Sequence, residues 1–146
     1  KASMSEIIGC GGQMAVGNRA IIRCDMHGGR RAHGPVDPVK AIAKSCNVSA
    51  ATWAKRVGRD EFFAFIDETG LVQKLGTGLR GEARGLLNRK DFAQHLQLAN
   101  LGFGQAINTT PTALASAFSL VANGGVRMRP RLIKSIGGVE QRPGGA

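Results

Sequence analysis

Tyrosine is missing altogether, and the aromatic side chains amount to one Trp and six Phe. No stretch interleaves them with Arg in the manner of a sheet that stacks bases, which argues against a reader of single-stranded nucleic acid. Acidic residues are scarce: ten Asp and Glu stand against twenty Lys and Arg, a formal charge of +10. The basic residues are scattered, densest at Arg30-Arg31, at Lys55-Arg56 with Arg59, and from Arg127 to Arg131. No nucleic-acid partner is therefore expected, and a positive surface equally suits a polyanionic cell-envelope setting. No apolar run reaches the roughly 18 residues that a membrane-crossing helix needs. No pair of carboxylates is placed for acid–base hydrolysis; Glu82 and Asp91 read as surface or salt-bridge residues. A start Met and a signal-peptide pattern are also missing. The chain opens on Lys1-Ala2-Ser3-Met4 and closes on Arg142-Pro143-Gly144-Gly145-Ala146, and it is read as a fragment.

What is present centres on His33 to Asn47. Asp37 is a good N-cap, and Pro38 suits the first helical position, where a missing N–H costs nothing. Val39, Ile42, Ala43 and Cys46 follow at helical spacing and predict one apolar face to bury. Ser45 and Asn47 fall beside that face at the helix end, where a hydroxyl and a carboxamide could meet a substrate. Serine chemistry also needs a base and an oxyanion hole. Neither can be assembled around Ser45 from these residues, since His33 lies beyond a Pro-containing turn and helix.

Residues 1 to 35 read as irregular or short β structure. Gln13–Val16 and Arg19–Arg23 flank Gly17-Asn18, a two-residue hairpin signal. Cys10 and Cys24 flank this hairpin in turn, and the odd total of three cysteines leaves at least one unpaired within the chain. A disulfide between Cys10 and Cys24 would close a loop of about 15 residues and contribute roughly 3 kcal/mol. Two buried, reduced thiols are the other open reading.

Helices follow. Ser49 is expected to cap one that turns Trp53, Ala54 and Val57 inward and ends at Gly58, and Asp60 to cap the next, with Phe62, Phe63, Phe65 and Ile66 packing before Gly70. Asp91–Asn100 is expected to be helical. Thr110 and Pro111 open the strongest helix, whose Leu114, Ala117, Phe118, Val121 and Ala122 repeat on one face before Asn123-Gly124-Gly125. Met128–Ile136 is expected to be extended. No internal repeat or domain boundary is evident.

Two motif matches are weak. Gly76-Thr77-Gly78-Leu79-Arg80-Gly81 fits G-x-G-x-x-G, but no clear strand feeds it and no acidic residue follows at the required distance, so a Gly-rich turn is the reading. Cys10, Cys24, His27 and His33 have the donor types of a zinc set without its paired spacing. They read as thiols and turn histidines, and no metal is expected.

Several segments together resemble one family in the same order. Ser45-Cys46-Asn47, preceded by His33-Gly34, is similar to the S-x-N motif of penicillin-binding proteins. Leu79-Arg80-Gly81-Glu82-Ala83-Arg84-Gly85 resembles their Leu-Pro-Gly-Glu-x-x-Gly segment, with Arg80 in place of Pro. Gly102-Phe103-Gly104-Gln105, Thr110-Pro111 and Ala122-Asn123-Gly124-Gly125 resemble the Gly-x-Gly-Gln, Thr-Pro and Ala-Asn-Gly-Gly signatures. Cys10-Gly11-Gly12, Gly17-Asn18 and Cys24 resemble the stretch upstream of S-x-N in the monofunctional, class B transpeptidases. The likeness runs from about residue 7 to residue 134.

The resemblance implies an α+β fold of the penicillin-binding and serine β-lactamase type, with residues 1–146 forming a partial transpeptidase domain, mainly its helical middle. It implies a D,D-transpeptidase that cross-links peptidoglycan stem peptides by serine acyl transfer from D-Ala-D-Ala, binds β-lactams at the same serine and uses no cofactor. Ser45 would relay protons between the catalytic lysine and the leaving or attacking amine. Asn47 would hold that lysine and bind the substrate's backbone amide. No S-x-x-K or K-T-G occurs in the 146 residues, so the nucleophilic Ser and its Lys are expected outside them, and the chain alone is expected to be inactive. The domain would lie on the extracytoplasmic side of a bacterial cytoplasmic membrane, tethered by an N-terminal anchor, with cell-wall synthesis or division proteins as partners. Two readings compete: an inert penicillin-binding-like scaffold of a wall-synthesis complex, and a basic zinc and nucleic-acid module using Cys10, Cys24 and His27.

Overall fold

The computed structural model describes residues 3–18, 20–26, 29–30, 32–90 and 95–141. The chain forms two compact units and passes between them more than once: residues 1–62 with 88–107, and residues 63–87 with 108–146.

In the first unit, strand β1 (Ile8–Cys10) pairs antiparallel with β6 (Gly34–Val36), setting Ile8 opposite Val36 and Cys10 opposite Gly34. Strands β2 (Gln13–Val16) and β3 (Ala20–Arg23) form the expected hairpin. Its register pairs Val16 with Ala20, so three positions rather than two lie in the connection, and Gly17 there takes a left-handed φ of 62°. A three-residue connection with a left-handed residue is the next commonest hairpin solution after the two-residue turn. Arg19 lies outside the described residues. A two-residue pair, β4 (Asp25–Met26) with β5 (Gly29–Arg30), follows.

Helix α1 (Pro38–Ala43) begins as its sequence dictates, with the Asp37 carboxylate accepting from the Lys40 N–H at 2.7 Å and Pro38 in the first turn. Its buried side is not the expected one. Val39 and Ile42 are 65% and 85% exposed, whereas Ala41 is buried. Helix α2 (Asn47–Val57) starts three residues earlier than a Ser49 cap would place it. Cys46 is the N-cap residue, and Ser49 is fully buried inside the helix, its hydroxyl without a hydrogen-bond partner among the described residues. Gly58 ends α2 as expected; Ala54 points inward, while Val57 is partly exposed. Helix α4 (His95–Gly102) covers the second half of the expected Asp91–Asn100 helix, whose first four residues lie outside the described set. It packs on α2 at close range: a Cβ at Gly102 would stand 2.7 Å from the Ala50 carbonyl oxygen and 2.5 Å from Ala54 Cβ.

Two apolar clusters hold this unit. Val16, Ile22, Ala51 and Ala99 form one, with Leu96 and Phe103 against it. Cys10, Cys24, Val36, Ala41, Cys46 and Val48 form the other, with Met14 and Trp53 packed alongside.

Helix α3 (Arg59–Thr69) gives its first turn to the first unit and the rest to the second, where Phe63, Ile66 and Leu75 are buried but Phe65 is 54% exposed. Helix α5 (Pro111–Ala122) has the expected cap, Thr110 Oγ1 accepting from the Ala113 N–H at 3.2 Å. Again the buried stripe is the small one, Ala113 and Ser116, while Leu114, Phe118 and Val121 are exposed. The expected extended segment is confined to Ser135–Ile136 (β7), which pairs with β8 (Val139–Glu140); residues 128–134 form no strand. Among the described residues no helix is long and apolar enough to cross a membrane.

Candidate active-site segment and its supports

The link between α1 and α2 is three residues long, and each has a different fate. Helix α1 closes with two backbone bonds: the Ser45 N–H donates to the Ile42 carbonyl at 3.1 Å, and the Cys46 N–H reaches back to the Ala41 carbonyl at 2.9 Å. This is the Schellman pattern, in which the residue just past the helix takes a left-handed conformation and is usually Gly. Here that residue is Ser45, at φ 49°. A side chain in that region costs on the order of 1–2 kcal/mol. The apolar contact that accompanies the motif is also present, because Cys46 and Ala41 share one buried cluster.

The result is that Ser45 points outward, Cys46 is driven into the core, and Asn47 sits half-buried at the first turn of α2. The Asn47 carboxamide is fixed from one side, with Nδ2 donating to the Arg23 carbonyl at the end of β3 at 2.9 Å. A carbonyl can only accept, so the nitrogen must face Arg23 and Oδ1 is left turned elsewhere as an acceptor.

Ser45, Cys46 and Asn47 line an open cavity of about 540 Å³, together with Pro38, Trp53 and Phe103. Asn47 also lines a second cavity, of about 610 Å³, with Arg23, Asn100 and Gln105. The segment thus presents one exposed hydroxyl and one oriented amide beside a partly apolar groove.

Behind it lies a cluster that the sequence spacing did not reveal. Cys10 Sγ is 3.7 Å from Cys24 Sγ and 3.7 Å from His33 Nδ1, and Cys24 Sγ is 3.8 Å from Cys46 Sγ. All three cysteines are buried free thiols, so the structure holds the reduced alternative for Cys10 and Cys24. Burial pushes the Cys24 thiol up to about 12, with its Cys10 and Cys46 neighbours adding to the rise. Burial acts the same way on Cys10, yet hydrogen bonds, that from the His33 backbone foremost, outweigh it and bring this thiol below its ordinary value. His27 lies outside the described residues. Cys46, the middle residue of the Ser-x-Asn string, is the cluster member that sequence reasoning passed over.

The second unit holds the Gly-Glu segment. The Gly-rich string is a turn, as expected, and its amides face inward. Glu82 Oε1 accepts from the Leu75 N–H at 2.7 Å and from the Gly76 N–H at 3.1 Å, while Oε2 accepts from the Thr77 N–H at 3.1 Å. Glu82 is therefore not a surface or salt-bridge residue but the internal anion of this loop. Desolvation raises its pKa, but the amides of Leu75, Thr77 and Gly76 together outweigh that and hold the carboxyl below the ordinary glutamate range. Gly85 is required by close approach: a Cβ there would lie 2.3 Å from the Asn108 carbonyl oxygen and 2.9 Å from Val72 Cα.

Comparison with known proteins gives the family. Residues 6–144 match the model of the penicillin binding protein transpeptidase domain. Penicillin-binding protein PbpB of Mycolicibacterium smegmatis is 38% identical over 105 residues, which is 70% of this chain and 16% of that protein. Stage V sporulation protein D of Bacillus subtilis is 31% identical over 115 residues, 79% of this chain and 17% of the relative. Among solved structures, penicillin binding protein 3 of Mycobacterium tuberculosis, complexed with aztreonam, superposes with a TM-score of 0.77 at 29% identity, covering 90% of this chain and 29% of that one. The chain belongs to the penicillin-binding protein transpeptidase domain family. Its mixture of helices and short strands is the α+β fold of that family, and it spans 16–17% of the length of these curated relatives.

Proposed function

We propose that this chain is a partial transpeptidase domain, residues 1–146, of a class B penicillin-binding protein that cross-links peptidoglycan. A serine supplied by an S-x-x-K segment outside these residues attacks the carbonyl of the penultimate D-Ala of a stem peptide. The bond to the terminal D-Ala breaks, that residue leaves as a free amine, and the acyl group stays on the serine oxygen. An amine of a second stem peptide then attacks the ester and regenerates the hydroxyl.

In this reading Ser45 passes the proton from the catalytic lysine to the departing amine and takes it back from the attacking one. Asn47 Oδ1 accepts from the lysine ammonium or from the substrate's backbone amide, with its carboxamide held by the Arg23 carbonyl. β-Lactams acylate the same serine, and the domain works on the outer side of the cytoplasmic membrane, beside other wall-synthesis proteins. Relatives bear names consistent with this, among them the peptidoglycan D,D-transpeptidase MrdA of Acinetobacter baumannii at 29% identity.

The observation that carries the proposal is Ser45 itself. A left-handed helix-end position is easiest for Gly, yet a serine occupies it, exposed and beside a cavity. Strain of this kind is retained where a side chain has work to do. The test is labelling of the full-length protein by a fluorescent penicillin. Wild type is expected to label, and Ser45→Ala to label on the order of a hundredfold more slowly or worse, the usual loss for a proton-transfer group. Wild-type protein that never labels would overturn the proposal.

A further inference from the structure

We propose that the open edge of strand β3 is a docking edge for an extended peptide, which lies along it as an added strand beside Asn47 and sets a carboxylate against Arg23. That this peptide is the stem peptide rests on the transpeptidase reading; the edge itself does not.

In an antiparallel pair, hydrogen-bonded and non-hydrogen-bonded positions alternate. The Cys24 N–H donates to the Gly12 carbonyl at 2.9 Å, and the register then sets Ile22 opposite Met14 and Ala20 opposite Val16. Cys24, Ile22 and Ala20 therefore turn their backbone groups to β2, while Ile21 and Arg23 turn theirs to the other edge. The Arg23 carbonyl agrees with this, because it accepts from Asn47 Nδ2 at 2.9 Å. Among the described residues no strand covers that edge, since β2 and β3 form a two-stranded sheet. The N–H and C=O of Ile21 and the N–H of Arg23 have no backbone partner there among the described residues.

The edge borders the cavity of about 610 Å³, whose wall takes in all of β3 together with the carboxamides of Asn47, Asn100 and Gln105. Carboxamides and an open strand edge offer donors and acceptors matched to peptide groups. Arg23 is the one charged residue on this wall, it is exposed, and its guanidinium has no ion-pair partner among the described residues. The occupant that fits is an extended peptide with a carboxylate within reach of that guanidinium.

The reactive end of the stem peptide belongs beside Ser45 and Asn47, and Asn47 meets β3 at Arg23, the C-terminal end of the strand. The peptide therefore runs parallel to β3. In a parallel ladder one of its residues donates its N–H to the Ile21 carbonyl and accepts at its own carbonyl from the Arg23 N–H. The N–H two residues further on would reach the Arg23 carbonyl, where Asn47 Nδ2 already sits. Asn47 Oδ1 supplies the acceptor that this N–H loses, so the carboxamide takes the place of one peptide group in the ladder. If that N–H belongs to the penultimate D-Ala, the residue before it stands across from Arg23 and carries the carboxylate.

The test uses full-length protein and synthetic N-acetylated pentapeptides ending in D-Ala-D-Ala, read as competition against labelling by a fluorescent penicillin. The third residue is glutamate in one peptide and glutamine in the other. Wild type is expected to bind the glutamate peptide roughly tenfold more tightly, as a hydrogen bond to a charged group does, and Arg23→Gln to bind the two alike. In wild type, N-methylation of the second residue should weaken binding about fivefold or more, and N-methylation of the third far less, because alternate N–H groups face the edge. This second series needs no variant, so it stands even if Arg23→Gln fails to fold.

An arginine at an open edge otherwise serves to keep other strands away. Such a guard predicts that wild type binds the acid and the amide equally and that both N-methyl peptides bind like the parent; that result, in protein that labels, would overturn the docking edge. Alternating N-methyl losses without a preference for the acid would overturn the role of Arg23 and support the edge. Wild type that never labels would instead count against the transpeptidase reading.

Discussion

Ser45–Asn47 and Leu75–Glu82 are both irregular segments with a polar side chain at their centre, and they treat that side chain in opposite ways. In the loop, the charge is consumed: Glu82 turns inward and accepts from three backbone N–H groups. Between α1 and α2 the backbone satisfies itself through the helix-end bonds to Ala41 and Ile42, so the polar side chains are left over. Asn47 keeps one end of its amide uncommitted, and Ser45 stands exposed in a conformation that a glycine would hold more cheaply. A polar residue spent on its own backbone is structural. One that the backbone has no use for, held at a cost, is a candidate for chemistry.

Three substitutions or conditions sharpen that contrast. The largest effect on stability is expected at Gly85, next to the spent carboxylate. The three nearest neighbours of a new Cβ there are all backbone atoms, of Asn108, Val72 and Leu71, that cannot swing aside. Gly85→Ala is expected to destabilise the fold by about 3 kcal/mol, read as a lowered urea midpoint at unchanged slope. A midpoint equal to wild type would mean that the Val72 and Asn108 backbones yield easily.

Next is the cap of α1, the helix that leads into Ser45–Asn47. Asp37→Ala removes the bond to the Lys40 N–H and is expected to cost about 1 kcal/mol. Because α1 positions Ser45 only through its C-terminal end, penicillin acylation should change far less than stability does. A parallel collapse of acylation would mean that α1 positioning is much less robust than its closing bonds imply.

The smallest effect is the pH response of the loop. The folded pKa of Glu82 lies below its unfolded value, so its contribution is fully present above the ordinary glutamate pKa of about 4.3 and is lost as pH falls through the lower folded value. The amide resonances of Leu75, Gly76 and Thr77 should therefore stay in place down to that range and shift together below it. Glu82→Gln should abolish the coordinated shift. Amides that move independently would contradict the shared carboxylate.

The legible parts of this molecule were the ones fixed by neighbours in sequence. Asp37-Pro38, Thr110-Pro111 and Gly58 act within a few residues and appear where their chemistry puts them, and the Gly17 hairpin forms with three positions in its connection instead of two. Burial was not legible. In α1 and α5 the larger apolar residues, Ile42 and Phe118 among them, are exposed, and Ala41, Ala113 and Ser116 are the packed ones. Periodicity finds that a stripe exists, but the tightness of the neighbouring element decides whether the large or the small stripe is used.

The thiol cluster failed for the same reason at longer range. Cys10, Cys24, His33 and Cys46 are distant in sequence, and only the β1–β6 pairing and the left-handed turn at Ser45 bring them together. Ser45 and Asn47 were singled out because their spacing is itself the motif, while the left-handed conformation at Ser45 is visible only in the backbone.

That strain allows one variant to be read twice. In full-length protein, Ser45→Gly removes the hydroxyl and relieves the left-handed side-chain cost together. The account predicts an unfolding midpoint raised by the equivalent of about 1 kcal/mol alongside penicillin acylation slowed on the order of a hundredfold or more. Acylation at the wild-type rate, whatever the stability, would contradict it.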